Sequence, residues 1–146
     1  MLQIFIPAIT FYNLRVVPDI LIIFLSYLGY YYGRFFTIII GFLLGLSQDL
    51  ITQLELMGAM AFTKSVLGFG LGTLNLYPNI WSGRFKIFFI FIVYNLHFFI
   101  FNFIKFNGIK VDSLIVAKIT IINSLISFVI LIIIDKIILD SIITKK

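Results

Sequence analysis

The stretch of residues 34–51, RFFTIIIGFLLGLSQDLI, decides the fold class because nearly all of it is apolar or small. A helix needs about 20 such residues to cross the hydrocarbon of a bilayer. The apolar residues run continuously and do not alternate with polar ones, as the strands of a membrane barrel require. We therefore predict a transmembrane helix over this stretch.

Five further apolar runs lie on either side of it. They cover residues 1–14, 18–32, 56–76, 85–104 and 111–139. The linkers between the runs are short, so consecutive helices should pack as antiparallel neighbours. We predict an all-α integral membrane protein, a bundle of about six transmembrane helices that forms one multi-pass domain over residues 1–146. The first run is short and contains Pro7, so it is either a thin span or a segment lying in the membrane interface.

The composition excludes several classes of protein. The chain has 146 residues, of which 62% are hydrophobic and 12% are charged, whereas about a quarter of the residues in a soluble domain are charged. It has no Cys and a single His, His97, so we expect no disulfide and no metal site. It shows no catalytic motif, so we expect neither enzymatic activity nor a cofactor. The net charge of +5 fits basic cytoplasmic loops rather than nucleic-acid binding.

The basic residues predict the orientation. If all six runs cross and the N-terminus is cytoplasmic, the inside loops hold more Lys and Arg than the outside loops, as cytoplasmic loops do. The inside set is Arg34, Arg84, Lys86, Lys136, Lys145 and Lys146, and the outside set is Arg15, Lys105 and Lys110. We therefore predict that both termini are cytoplasmic. Asp135 and Asp140 lie beside Lys136 at the cytoplasmic end of the last run and are expected to be solvated.

Small residues mark the packing faces of two runs. Gly41 and Gly45 form a GxxxG pair in the run 34–51. In the run 56–76, small residues recur at spacings of three, four, three and four: Gly58, Ala61, Ser65, Gly68 and Gly72. Small side chains let helix backbones approach closely, and van der Waals packing then drives association. We predict that these faces pack the two helices together; the alternative is that the Gly41 and Gly45 face docks a partner helix.

Polar side chains also occur within the last two runs. A stripe of small and hydroxyl residues follows the run 111–139: Ser113, Ala117, Thr120, Ser124 and Ser127. Such hydroxyls form hydrogen bonds across helices, each worth about 0.6 kcal/mol. In the run 85–104, Asn95 and Asn102 lie two turns apart, and we expect both to point into the bundle. His97 lies near the middle of that run and is interpreted as a packing residue; the alternative is a proton relay.

Three charged residues lie within the runs or at their ends, and an ionisable group inside a bilayer is a candidate functional residue. Asp49 lies near the outer end of its helix, and Lys64 lies about two turns into the next helix from the same side. We predict an ion pair between them; the alternative is that Lys64 alone extends its ammonium to the interface. Asp19 follows Pro18 at the start of a run, where a carboxylate suits the positive end of the helix dipole.

The order of these motifs resembles that of one family. Pro18-Asp19 opens an apolar run with Tyr27; Gly41-Phe42-Leu43-Leu44-Gly45-Leu46 follows with Asp49; Gly58 then opens the small-residue helix. This order is similar to that of the rod shape-determining protein MreD family, which are small multi-pass proteins of the bacterial inner membrane. The likeness covers residues 2–76 in motif and continues to the end of the chain in helix layout. The short first run departs from the family pattern.

The resemblance implies a non-enzymatic component of the cell-elongation machinery. Such proteins bind MreC and work with the MreB cytoskeleton and the RodA–penicillin-binding-protein synthase during side-wall peptidoglycan growth. The residues that match the family pattern are Pro18, Asp19, Gly41, Phe42, Gly45, Leu46 and Asp49. We take Pro18, Asp19, Asp49 and Lys64 as the candidate partner-binding or ion-pair site.

Two other classes of function remain open from the sequence. The chain also looks like the substrate-binding membrane subunits of energy-coupling-factor vitamin transporters, which are six-helix proteins with small-residue packing faces. Such a subunit encloses a small ligand, and its pocket needs polar groups that converge from several helices and loops. The predicted outer loops are very short, which favours the scaffold over the transporter. The third class is a small channel or a lipid-interacting structural protein, and no pore-lining pattern indicates it.

Overall fold

The computed structural model describes residues 9–11, 14–16, 19–52, 56–77, 83–107 and 112–139. Two short antiparallel strands come first, β1 (Ile9–Phe11) and β2 (Leu14–Val16). Four helices follow: α1 (Ile20–Thr52), α2 (Ala59–Leu76), α3 (Gly83–Lys105) and α4 (Ser113–Ile134). The last helix continues into a π-helical turn, Asp135–Leu139.

Helix α1 folds back on itself at Gly33, where the backbone has φ 77° and ψ −171°. Only glycine adopts this conformation readily. The Asp19 and Gln48 side chains, at opposite ends of α1, both accept hydrogen bonds from the Lys64 ammonium. In a straight helix these two residues would lie about 40 Å apart. The helix therefore consists of two antiparallel arms, residues 20–32 and residues 34–52, which the sequence predicts as two separate runs.

Helix α2 packs along both arms with its backbone close to theirs. A Cβ atom added to Gly41 would lie 2.7 Å from the Lys64 carbonyl oxygen, and one added to Gly68 would lie 2.7 Å from that of Thr37. On the first arm, a Cβ atom at Gly29 would lie 2.9 Å from the Leu71 backbone. Because no side chain fits at these contacts, the glycines set the distance between the helices.

The apolar core lies between the first arm of α1, α2 and α3, and α4 adds to it near one end. Its buried members are Ile22, Ile23, Leu25, Leu67, Leu71, Leu74, Ile90, Val93, Tyr94, Phe98 and Leu131. The buried positions of α4 are largely polar, whereas large apolar side chains such as Ile121, Leu125 and Val129 are exposed. A helix with polar residues inside and apolar residues outside is arranged for contact with lipid rather than water.

Three stretches of the described residues are long and apolar enough to cross a membrane. They are Ile20–Ile51, Gly83–Lys105 and Ser113–Ile137. The first of them contains the reversal at Gly33, so its arms are only about 20 and 28 Å long at about 1.5 Å per residue. The prediction of a helical membrane protein is confirmed at this level. The finer prediction of six spans is not: α2 does not meet the same criterion of length and hydropathy.

The first run, predicted as a thin span or as a segment lying in the membrane interface, is not a helical span where the structure describes it; the interfacial alternative stays a prediction. Residues 9–11 and 14–16 pair as antiparallel strands, with Ile9 opposite Val16. A strand pair brings the chain back to where it started, so these residues do not carry it across the bundle. The predicted cytoplasmic N-terminus depended on a crossing by this run, and residues 1–8 lie outside the described part of the chain. In the sequence, only the presence of Pro7 argued against a continuous helix in this run.

Gly33→Ala should lower the free energy of unfolding by about 1–3 kcal/mol, because an L side chain is strained at this backbone conformation. Chemical unfolding in detergent micelles measures the change. Gly83→Ala is the matched control: Gly83 begins α3, its φ is not positive, and no described atom lies within 4 Å of an added Cβ atom. Equal stability of the two variants would contradict a strained reversal at Gly33.

Candidate functional site

The best-defined polar site is a buried ion pair where α1 and α2 meet. Lys64 is fully buried, and its Nζ atom donates to Asp19 Oδ2 and to Gln48 Oε1, each at 2.5 Å. Asp19 Oδ1 accepts from the Leu21 backbone N–H at 3.0 Å, so the same carboxylate also caps the first arm of α1. One ammonium thus ties the start of the first arm to the end of the second. We call Asp19, Gln48 and Lys64 the lysine joint.

The predicted ion pair between Asp49 and Lys64 is wrong. Asp49 is fully buried and accepts three backbone hydrogen bonds, from Gly58 at 3.0 Å and from Met60 and Ala61 at 3.1 Å. These N–H groups belong to the first turn of α2, where the helix itself supplies no acceptor. A carboxylate there also faces the positive end of the helix dipole. Asp49 therefore holds the N-terminus of α2, and Lys64 finds its carboxylate on the other arm.

The predicted packing residues divide into two groups. Gly41 and Gly45 lie against the α2 backbone, while Gly68 and Gly72 lie against the second arm of α1. Ala61 is buried beside Gly45.

The other two members of the predicted stripe have different roles. Ser65 is half-buried, and its hydroxyl donates to the Ala61 carbonyl in its own helix at 2.8 Å. Gly58 has no described atom within 4 Å of an added Cβ atom. Its φ of 97° at the start of α2 is what requires glycine there. Pro18, the last residue of the predicted site, lies outside the described residues.

His97 lies next to the lysine joint. Its ring is buried, packs edge-on against Phe98, and lies within electrostatic range of Lys64 and Asp19. The Thr63 backbone lies within interaction range of the ring, but neither ring nitrogen makes a well-aligned hydrogen bond to a described residue. His97 is thus a buried packing residue, as the sequence predicts.

A second polar cluster lies at the other end of the bundle, around the reversal at Gly33. We call this the Gly33 end and the end that holds the lysine joint the Asp19 end. Asp135 is 1% exposed and accepts a hydrogen bond from the Tyr27 hydroxyl at 3.1 Å. The prediction that Asp135 is solvated is wrong, because α4 turns this residue toward the first arm of α1. The Lys86 ammonium is buried there too, 5.0 Å from the centre of the Tyr30 ring. Lys86 is counted above with the cations of the inside loops, although the run 85–104 includes it; in the structure it lies in the first turn of α3, which begins at Gly83.

The reversal at Gly33 leaves the last carbonyl oxygens of the first arm without helical donors, and Asn75 of α2 binds two of them. The Asn75 side-chain amide donates to the carbonyl oxygens of Tyr30 at 2.8 Å and Tyr31 at 3.3 Å. These carbonyls belong to the last turn of the arm, where the helix supplies no donor. Both ends of α2 therefore carry polar contacts to α1, with Asp49 at one end and Asn75 at the other.

A few hydrogen bonds between side chains join helix α3 to α1 and α4. Tyr94 meets Ser26 of α1 at 2.6 Å between the two hydroxyls. Asn102 donates to Thr120 of α4 at 2.9 Å, and Ser124 of α4 donates to Asn95 at the same distance. Both asparagines point into the bundle, as the sequence predicts.

An open groove of about 400 Å³ lies between α3 and α4. Its lining is mostly apolar, and its two polar side chains, Asn95 and Thr120, already bond within the protein. A site for a polar metabolite needs polar groups that converge on the ligand, and this groove does not offer them.

Removing the lysine of the joint should destabilise the protein strongly. Lys64→Met leaves the buried Asp19 carboxylate without its cation, and breaking a buried pair in this way costs about 3–5 kcal/mol. Unfolding in detergent measures the loss. Adding Asp19→Asn should restore part of it, with a coupling energy of about 0.5–3 kcal/mol between the two sites. Lys118→Met, at an exposed position of α4, is the control and should cause no comparable loss; strict additivity of the Asp19 and Lys64 changes would refute the pair.

Asp49→Asn should lower the free energy of unfolding by about 1.5–3 kcal/mol, because an amide cannot accept all three backbone hydrogen bonds and carries no charge. Asp112 offers a matched control, since it accepts from the Leu114 N–H at the exposed start of α4. Asn is as good as Asp at such a position, so Asp112→Asn should change stability little. A similar response of the two variants would count against the role of Asp49.

The described residues contain no group of three or more His, Asp or Glu side chains that could hold a metal ion. Comparison with protein families, curated proteins and solved structures gives no match to this chain. The function must therefore be argued from the contacts within the bundle and from the order of the sequence motifs.

Proposed function

We propose that this protein is a non-enzymatic membrane component of the bacterial cell-elongation machinery. In this role it lies in the inner membrane, binds MreC and supports side-wall peptidoglycan synthesis together with MreB and the RodA–penicillin-binding-protein synthase. The order of its motifs, which resembles that of the MreD family, is the source of the proposal. The contacts of those motif residues are its support.

The observation that carries the proposal is the convergence of the motif residues on one junction. Asp19, Gly41, Gly45, Asp49 and Gly58 are spread along the sequence, yet each contributes to the contact between α1 and α2 or to the start of α2. Asp19 holds the Lys64 ammonium, the two glycines admit the α2 backbone, and Asp49 holds its first turn. Residues used in this way maintain the shape of the bundle, which a scaffold needs.

The opposite faces of the same helices are free to meet partners. Phe42 and Leu43 lie in the Gly-Phe-Leu-Leu-Gly motif and are 47% and 54% exposed. The glycines on either side of them hold α1 against α2, so the two apolar side chains point away from that contact. A transmembrane helix of MreC would pack against such a surface through van der Waals contact, as helices in lipid do.

The distribution of charge indicates which end faces the cytoplasm in this proposal. Among the described residues, the Gly33 end carries four cations and one anion: Arg34, Arg84, Lys86, Lys136 and Asp135. Lys64 and Lys118 lie within α2 and α4, so the Lys and Arg residues near the helix ends at the Asp19 end are Arg15 and Lys105. An excess of Lys and Arg is typical of the cytoplasmic side. The Gly33 end is therefore assigned to the cytoplasm, in agreement with the orientation predicted for the C-terminal half of the chain.

A pulldown of tagged protein from its native membrane in mild detergent tests the proposal. Mass spectrometry should recover MreC or the elongation synthase with the wild-type protein. Gly45→Leu should lower both that recovery and the melting temperature, because a leucine cannot fit against the Met60 and Ala61 backbone. Gly83→Leu, at a position with open space, is the control and should retain both.

Two results would overturn the proposal. Recovery of an ATPase-containing transport module, or of a bound vitamin, would instead establish that the protein is the substrate-binding subunit of a transporter. Unchanged partner recovery and unchanged melting of the Gly45→Leu variant would show that the glycine contact supports neither the shape nor the complex.

A further inference from the structure

The cations at the Gly33 end differ in how far the protein compensates them. Lys86 is buried within electrostatic range of Asp135, the one acidic residue described at this end. Arg84 and Lys136 are exposed. Arg34 is half-buried, next to Gly72 of α2. The excess positive charge at this end therefore rests on Arg34, Arg84 and Lys136.

The Arg34 side chain is held in place, and one of its hydrogen-bond donors has no acceptor. Its guanidinium carbon lies 4.7 Å from the centre of the Phe69 ring, so the side chain is held over an aromatic face. Its Nε atom is buried and has no hydrogen-bond partner among the described residues. A buried donor without an acceptor is destabilising, by about 1–3 kcal/mol in proteins. A ligand oxygen that accepted from this group would remove that penalty.

The surroundings of Arg34 indicate the depth at which that acceptor lies. Tyr30, Tyr31 and Tyr32 precede the reversal at Gly33, and the last two are 52% and 66% exposed. Exposed tyrosines gather at the level of the lipid headgroups, where the ring is apolar and the hydroxyl is hydrated. Arg34 follows them directly in the chain and lies at the same end of the bundle. The acceptors abundant at this depth are the phosphate oxygens of phospholipids.

The opposite end of the bundle lacks this combination. There Lys64 is paired with Asp19, and the cations are nearly balanced by acidic residues. The Lys105 ammonium also lies near an aromatic ring, 5.9 Å from the centre of Phe101, but Lys105 is exposed and so has no buried donor that lacks an acceptor. The two ends therefore differ in net charge and in the presence of an unpaired buried donor.

We propose that the Gly33 end of the bundle binds the headgroup of an anionic phospholipid, with Arg34 as the principal contact and Arg84 and Lys136 adding positive charge. The planar guanidinium matches phosphate oxygens in a way that a lysine ammonium does not. Basic side chains on the cytoplasmic side of transmembrane helices attract anionic lipid headgroups. The binding is a property of the bundle itself and does not require that the protein binds MreC.

Thermal unfolding of the purified full chain in a neutral detergent tests this site. Phosphatidylglycerol, phosphatidylcholine and inorganic phosphate are added in separate titrations. For the wild type we expect an upward shift in melting temperature with phosphatidylglycerol that exceeds the shift with phosphatidylcholine. The excess should fall as salt is added, because the attraction is partly electrostatic.

Three variants test whether Arg34 is responsible for the excess shift in melting temperature. Arg34→Gln should lose most of the excess shift, and Arg34→Lys should keep only part of it, since it retains the charge without the planar donors. Lys105→Gln, which removes a cation beside an aromatic ring at the other end, should keep the full excess. Native mass spectrometry of the wild type provides a readout that needs no variant and should show phosphatidylglycerol retained at higher collision energy than phosphatidylcholine.

Several outcomes would overturn the site. Equal shifts with the neutral and the anionic lipid would show that headgroup charge is irrelevant. An equal loss in Arg34→Gln and Lys105→Gln would show that only net charge matters. The same shift with inorganic phosphate alone would identify an anion site that does not recognise lipid. If Arg34→Gln fails to fold, equal retention of the two lipids by the wild type still refutes the proposal.

Discussion

The buried ammonium of Lys64 is the constraint on which the arrangement of α1 and α2 depends. An unpaired charge in the interior of a membrane protein is very unfavourable, so the position of Lys64 requires acceptors within reach. Asp19 and Gln48 supply them from the two ends of α1. They can do so only if α1 reverses, and Gly33 makes that reversal possible. One charge, two acceptors and one glycine conformation thus fix three helical segments relative to one another.

The remaining contacts follow from the absence of a hydrophobic driving force between helices in lipid. Glycines allow the backbones of α1 and α2 to touch, and hydroxyl and amide side chains join α3 to α1 and α4. Many of the large apolar residues lie on the outer surface of the bundle. The result is a bundle that is densely packed between α1 and α2 and more loosely joined at α4, where few residues are buried.

The difference between the tightly packed helices α1 and α2 and the rest of the bundle bears on both proposals. A rigid centre built from α1 and α2 can hold exposed apolar residues such as Phe42 and Leu43 in fixed positions for a partner helix. The charged end near Gly33 is held by separate contacts, from Asn75, Tyr27 and Lys86. Because the lysine joint and the basic end lie at opposite ends of the bundle, a partner at one and a lipid at the other would not compete for the same side chains.

The sequence by itself determined the class of the protein and most of its helices. Apolar runs and glycine spacing are local properties, so Gly41, Gly45, Gly68 and Gly72 could be identified as packing residues before any contact was known. Gly33 could be placed between two runs for the same reason. Only the tertiary structure decided which carboxylate meets Lys64, that Asp49 binds backbone instead, that Asp135 is buried and that residues 9–11 pair with residues 14–16 as strands. These outcomes depend on the rotation and relative height of helices far apart in sequence, and a shift of one residue along a helix turns a side chain by about 100° to face a different neighbour.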